Sequence, residues 1–130
     1  MNQTVTPSAI APPAATYAHA VVSEAASRLL HTSGVVPIAP DGSVPDELTA
    51  QADVVWANLG AILAEAGMAP TDVVSITTYV VAGEPLGPVM MARDRFLGGH
   101  LAASTLVTVP ALARPEWRIE VALVAAGGTA

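Results

Sequence analysis

Two stretches of extended chain that are apolar on both sides constrain this sequence more than any other feature. Val73 to Val81 is rich in β-branched residues and reads as a buried strand. Arg118 to Ala125 reads as a second, interrupted only by Glu120. Strands of this kind belong to a sheet covered on both faces. The sequence supplies cover for one. Leu48, Ala52, Val55, Leu59, Ile62, Leu63 and Ala66 fall on one stripe at helical spacing. Asp46 and Glu47 place negative charge near the start of that helix, where its dipole favours it. Gly67 stands where a C-terminal cap is expected, and Pro70 forbids continuation. A second helix spans about Leu86 to Leu97, with Leu86, Val89, Met90 and Phe96 on its apolar stripe and Gly98-Gly99 ending it. Packing of sheet on sheet between copies of the chain would cover the other face.

Composition points the same way. Hydrophobic residues make up 52% of the 130 and charged residues only 12%, so a monomer would expose much uncharged surface. The remaining elements are strands at Thr16 to Ser23, Arg28 to Thr32 and Leu106 to Val109. Glu24 to Ser27 would join the first two as a hairpin turn, although it contains neither Gly nor Asn. Pro37, Pro40 and Asp41-Gly42 mark a loop, as does the stretch from Pro110 to Glu116. The order is β-β-α-β-α-β-β, an α/β (α+β) domain over residues 16–130. Met1 to Ala15, rich in Pro, Ala, Ser and Thr, reads as a flexible arm. It has no basic start followed by an apolar block, and no run approaches the roughly 20 apolar residues of a membrane span. A cytoplasmic location is the expectation.

Absent residues exclude several chemistries. Without Cys there is no disulfide, thiol nucleophile or thiolate metal site. The five basic residues are all Arg, so a Schiff-base lysine and the lysine of a phosphate-binding loop are also excluded. A net charge of −6 offers little for neutralising nucleic-acid phosphates. His19, His31 and His100 lack paired-ligand spacing, so no metal site is expected. His31 and His100 read as ordinary strand or surface histidines. No G-x-S-x-G elbow or G-x-G-x-x-G run occurs.

Glu120 is the acid that stands out. A carboxylate inside an apolar strand is costly unless it is paired or near water. It reads either as a general acid/base in a cleft or as a structural group, ion-paired with Arg118 or Arg114 or exposed at an edge. Residue type alone favours the structural role.

The chain resembles the RidA/YjgF family from about Tyr17 to Ala125. The resemblance rests on Tyr17-Ala18-His19-Ala20, Ser33-Gly34-Val35-Val36-Pro37, Gln51, Asn58 and Leu59 with Glu65-Ala66-Gly67, Asp72-Val73-Val74 with Thr77-Thr78-Tyr79-Val80, and Ile119-Glu120 with Ala125. It implies a chorismate-mutase-like fold and a homotrimer with clefts at the subunit boundaries. It also implies cofactor-independent hydrolysis of reactive enamines and imines. By the same resemblance Glu120 activates water and Tyr17 lines the pocket. Ser33 and Gly34 form the pocket floor, and His19 is grouped with the substrate-binding residues. The family's Pro-Ala-Arg-Ser/Thr becomes Ala102-Ala103-Ser104-Thr105, so Ser104 stands where an arginine is expected; shifting the alignment by one puts Ala103 there. A neutral hydroxyl cannot replace a bidentate guanidinium–carboxylate pair. Either Arg114 or Arg118, beside Trp117, reaches the cleft instead, or the substrate lacks that carboxylate and Ser104 and Thr105 hydrogen-bond a neutral group. A non-catalytic metabolite-binding trimer is the competing function. RNA cleavage is a third, opposed by the acidic charge.

Overall fold

A computed structural model describes residues 1–127. The elements are β1 (Asn2–Val5), β2 (Ala20–Ser23), β3 (Arg28–His31), α1 (Leu48–Glu65), β4 (Val73–Val81), α2 (Leu86–Leu97), β5 (Ala103–Val109) and β6 (Ile119–Gly127). A single 3-10 turn, Pro70–Asp72, leads into β4. The main sheet has the order β3-β6-β4-β5. β6 lies antiparallel to both β3 and β4, while β4 and β5 run parallel. A parallel pair needs a crossover, and α2 provides it.

Both helices lie on one side of the sheet. The buried face of α1 is Leu48, Gln51, Ala52, Val55, Trp56, Leu59 and Leu63. It packs with Val89, Ala92 and Leu97 of α2 over Ile76, Val80, Ile119, Val121 and Leu123 of the sheet. Trp56 and Phe96 join the two helices, their ring centroids 4.8 Å apart. α1 ends in a Schellman arrangement: Gly67 takes φ +72°, its N–H bonds Ala64 O, and Met68 N–H bonds Leu63 O at 2.8 Å. The left-handed φ of +57° at Gly98 ends α2.

The structure departs from the sequence reading in five places. β5, expected from Leu106, begins at Ala103 and so includes Ser104 and Thr105. The arm expected over Met1 to Ala15 begins with a strand, β1, paired antiparallel with β2. β2 and β3 therefore do not form a hairpin; β2 pairs with β1 and β3 with β6. A residue at positive φ, Ala25, redirects the chain between them. The strand expected from Thr16 starts only at Ala20, although Ala18 makes an isolated parallel bridge to Ala103. Ile62 is 36% exposed, and its expected share of the buried stripe falls partly to Gln51, which is fully buried. The last three residues of the expected domain lie outside the described residues.

Gln51 is buried because it satisfies backbone that nothing else reaches. Its side-chain N–H groups donate to Pro45 O and Glu116 O, both at 2.8 Å, and its Oε1 accepts from Arg118 N–H at 2.8 Å. One side chain thus ties α1 to the loops before it and before β6. In the first of these loops Asp41 accepts from the Ser43 hydroxyl and N–H, which holds its carboxyl below the ordinary value. That contact contributes to the loop above the ordinary carboxylate range and is lost as pH falls through the lowered value. Replacing Gln51 with Ala strands two carbonyls and one N–H. Urea denaturation should show a loss of roughly 2–4 kcal/mol, more than removal of an ordinary surface amide would cost.

Candidate active site on the open sheet face

The sheet face away from the helices is open in the single chain, and register defines its side chains. Strand residues alternate between faces, so paired positions share one. Three rows cross the open face: His31–Val124–Ser75–Ala103, Ala122–Thr77–Thr105, and Glu120–Tyr79–Val107. The helix-side rows between them carry Ile76, Thr78 and Val80, all buried.

Glu120 is half-buried near the start of β6, beside the turn carrying Ser33 and Gly34. That turn is held by paired hydrogen bonds between Val35 and Val121, at 2.7 and 3.1 Å. One step along, Leu123 N–H bonds the Thr32 hydroxyl at 2.9 Å, and Thr32 N–H bonds Leu123 O. The chain takes three steps from Thr32 to Val35 where β6 takes two, a bulge beside the acid. The bulge presses Gly34 against Glu120. A Cβ built on Gly34 would lie 1.9 Å from Glu120 Oε2 and 2.7 Å from its Cδ. Glycine is therefore required by close approach of the carboxylate, since Gly34 does not adopt positive φ.

The ion pair considered for Glu120 does not form within the chain. Arg118 pairs with Glu84 and also donates to Asp46 O at 3.0 Å. Arg114 lies over the Trp117 ring, 5.1 Å from its centroid. Among the described residues Glu120 has neither an ion-pair nor a hydrogen-bond partner. Trp117 is buried, and its indole N–H also lacks a partner among them.

The other expected site residues lie at the opposite edge or on the opposite face. Tyr17 and His19 flank the bridge of Ala18 to Ala103, beyond β5. Their rings meet edge-on at 5.9 Å; the Tyr17 hydroxyl accepts from Ala14 N–H at 3.2 Å and His19 Nε2 contacts Ala11 O at 2.7 Å. Four residues along and three strand spacings across separate this corner from Glu120, about 20 Å at ordinary strand dimensions. Within one chain Tyr17 and Glu120 are not neighbours. Ser104 and Thr105, grouped together from sequence, point to opposite sides. Ser104 is paired with buried Ile76, and its hydroxyl accepts from Arg93 Nη1 at 3.3 Å on the helix side. Ala103 and Thr105 are the β5 positions on the open face.

Arg93 was not signalled by the sequence. It sits on the buried face of α2, 5% exposed, pairs with Asp94 at 3.0 Å, and leaves Nη2 unpartnered. Only its neighbour Asp94 hints that a charge at that helical position could be tolerated.

An α+β sheet with two helices on one face, a lone carboxylate on the other and a glycine turn against it define the class. The family model for Endoribonuclease L-PSP matches residues 7–127, and the chain belongs to that family, which is also called the Rid or YjgF family. It is similar to YyfB of Yersinia pestis, a Rid-family protein of unknown function, at 32% identity over 96% of this chain and 98% of that one, TM-score 0.84. A Thermotoga maritima protein described as a candidate endoribonuclease matches at 27% identity over 97% and 98% of the two chains, TM-score 0.71. Escherichia coli TdcF, solved with bound serine, shares the fold at 20% identity over 95% and 98%, TM-score 0.70. A search of curated proteins finds no match. No helix among the described residues is long and apolar enough to cross a membrane.

The Gly34 contact gives a direct test. Gly34→Ala should leave the melting temperature within a few degrees, because Gly34 is exposed and only the end of a side chain must move. It should nevertheless displace Glu120 and abolish any Glu120-dependent activity. Unchanged activity in a correctly folded Gly34→Ala would show that the carboxylate does not work from this position.

Proposed function

We propose that this protein hydrolyses imines or enamines of small metabolites in clefts formed where the open face of one copy meets another. The observation that carries this reading is Glu120: an acid on an otherwise apolar and hydroxyl-bearing face, unpaired among the described residues and seated against glycine. A carboxylate there would become costly once a second copy covers the face, which argues for a use. Glu120 takes a proton from water as the oxygen bonds to the imine carbon. Glu120 returns that proton to the nitrogen of the carbinolamine formed from the protonated imine. The C–N bond breaks as the remaining hydroxyl proton passes to Glu120, and this proton leaves on the ammonia, giving a carbonyl compound and ammonium with Glu120 ionised again. The chain's own residues suffice for these proton transfers.

A second copy completes the site in this reading. Ala103 and Thr105 lie on the β5 side of the open face, with Tyr17 at the edge beyond them, and Glu120 and Gly34 lie at another corner. Packing open faces around a threefold axis would bring one copy's first corner to another's second. The assembly also covers the apolar face, which a lone chain leaves in water. Mass measurement in solution should give three chain masses; a monomer at working concentration would sink the cleft.

Substrate choice follows from Ala103. No arginine projects from β5 onto the open face, and Arg93 is on the other side of the sheet. We therefore expect weak acceleration of 2-iminobutyrate hydrolysis and stronger acceleration for imines without a carboxylate. Ketoacid or aldehyde release is the readout, and Glu120→Ala should lose at least a hundredfold. Ala103→Arg should raise the 2-iminobutyrate rate. Strong wild-type activity on 2-iminobutyrate would instead give Arg114 the anchoring role. An inert wild type that still binds small carbonyl compounds would make the protein a metabolite-binding trimer, a reading supported by the same fold holding serine in TdcF. The family's description raises RNA cleavage; the net charge of −6 and the absence of Lys oppose it.

A further inference from the structure

We infer that Tyr79 is a second substrate-contacting residue, its hydroxyl serving with Glu120 as a donor–acceptor pair suited to an uncharged or protonated C=N or C=O group. The inference deepens the reading above and rests on it.

The register places Tyr79 directly opposite Glu120 on β4 and β6, on the same open face. Cβ atoms of directly paired residues are about 5 Å apart, and a phenol reaches well beyond that. Glu120 leans away across β6 toward Gly34, as the close approach of its Oε2 shows. A small planar group held between the two side chains would meet the carboxylate at one end and the phenol at the other.

The surroundings of Tyr79 do not use its hydroxyl. It is half-buried, and among the described residues the hydroxyl has no hydrogen-bond partner. Its neighbour on β5 in the same row is Val107, and along β4 it is flanked on the same face by Thr77 and Val81. A phenylalanine would satisfy this apolar setting equally well. A tyrosine hydroxyl is a donor with a neutral resting state, which a cationic side chain is not.

Charge sets the ligand class. Among the described arginines Arg118 is committed to Glu84, Arg93 lies behind the sheet, Arg95 is on α2, Arg28 donates to Ala66 O, and Arg114 lies over the Trp117 ring. His31 is on the open face, but in the row farthest from Glu120 of the three. A substrate carboxylate placed between Tyr79 and Glu120 would meet an anion and a neutral donor. A neutral or protonated imine meets a donor for a lone pair, or an acceptor for an N–H, at each end.

The test uses the full chain and Tyr79→Phe, which keeps the ring. The substrate is the imine that a flavin amine oxidase releases from n-butylamine, with aldehyde formation as readout and Glu120→Ala alongside. Tyr79→Phe should keep its melting temperature and solution mass while kcat/KM falls roughly tenfold to a hundredfold, mostly in kcat. Activity within twofold of wild type would overturn the inference and leave Tyr79 a packing residue, with the Glu120 reading intact. If the wild type turns over no imine, the hydrolase reading fails by itself. Butyramide binding by calorimetry then decides: at least fivefold weaker binding to Tyr79→Phe sustains the contact, and equal or undetectable binding overturns it.

Discussion

The ladder between β4 and β6 decides which way every side chain of consequence faces. It fills the middle of the sheet, and its rows run on through β5 and β3. Once Ile76, Val80, Ile119 and Val121 are committed to the helices, alternation sends Thr77, Tyr79, Glu120 and Ala122 to the other side. A slip of one residue would bury Glu120 under α1 and put isoleucine and valine in water. The large apolar area under the helices therefore pins the position of the acid, which itself contributes nothing to that burial.

The same ladder explains why Ser104 and Ala103 differ so much in consequence. They are adjacent in sequence, yet one faces a buried guanidinium and the other the open face. Arg93 enters a helix face that is otherwise apolar, and it is tolerated because Asp94 and Ser104 take two of its donors. Its unpartnered Nη2 marks the costliest buried polar group in the helix layer. The guanidinium that reaches β5 thus lies behind the sheet rather than over it, and it is paired with Asp94.

Much of this architecture was legible in the residues. Val73–Val81 and Leu86–Leu97 read as they fold, because β-branched density and glycine–proline punctuation are local signals. Glu120 stood out because charge inside an apolar strand is conspicuous. The pairing of β1 with β2 was not legible: nothing in Asn2–Val5 announces a strand, and its partner was expected to pair forward with β3. Gln51 and Arg93 were missed for one reason. Both are polar residues buried by contacts with distant backbone or a distant strand, and helical periodicity cannot anticipate a partner 65 residues away such as Glu116 O. The family resemblance named Ser33, Gly34 and Tyr17, but only geometry shows that Gly34 meets Glu120 while Tyr17 lies at the far edge.

Electrostatics then limits what this face can hold. At about 5 Å and an effective dielectric near 20, a substrate carboxylate and Glu120 would repel by roughly 3 kcal/mol, and an iminium would be attracted by a similar amount. A guanidinium on the same face would cancel the first effect and oppose the second. With alanine at position 103 β5 supplies neither effect, so on the proposed reading the sign of the substrate's charge would separate candidate ligands by orders of magnitude in affinity. On the same reading, hydroxyls such as Tyr79 and Thr105 would refine that choice by orientation, because a neutral donor costs less to desolvate than a charge and favours neither sign. On the proposed reading, the hydroxyls of the face and the charge it lacks would favour the same ligands: small, planar, and neutral or cationic.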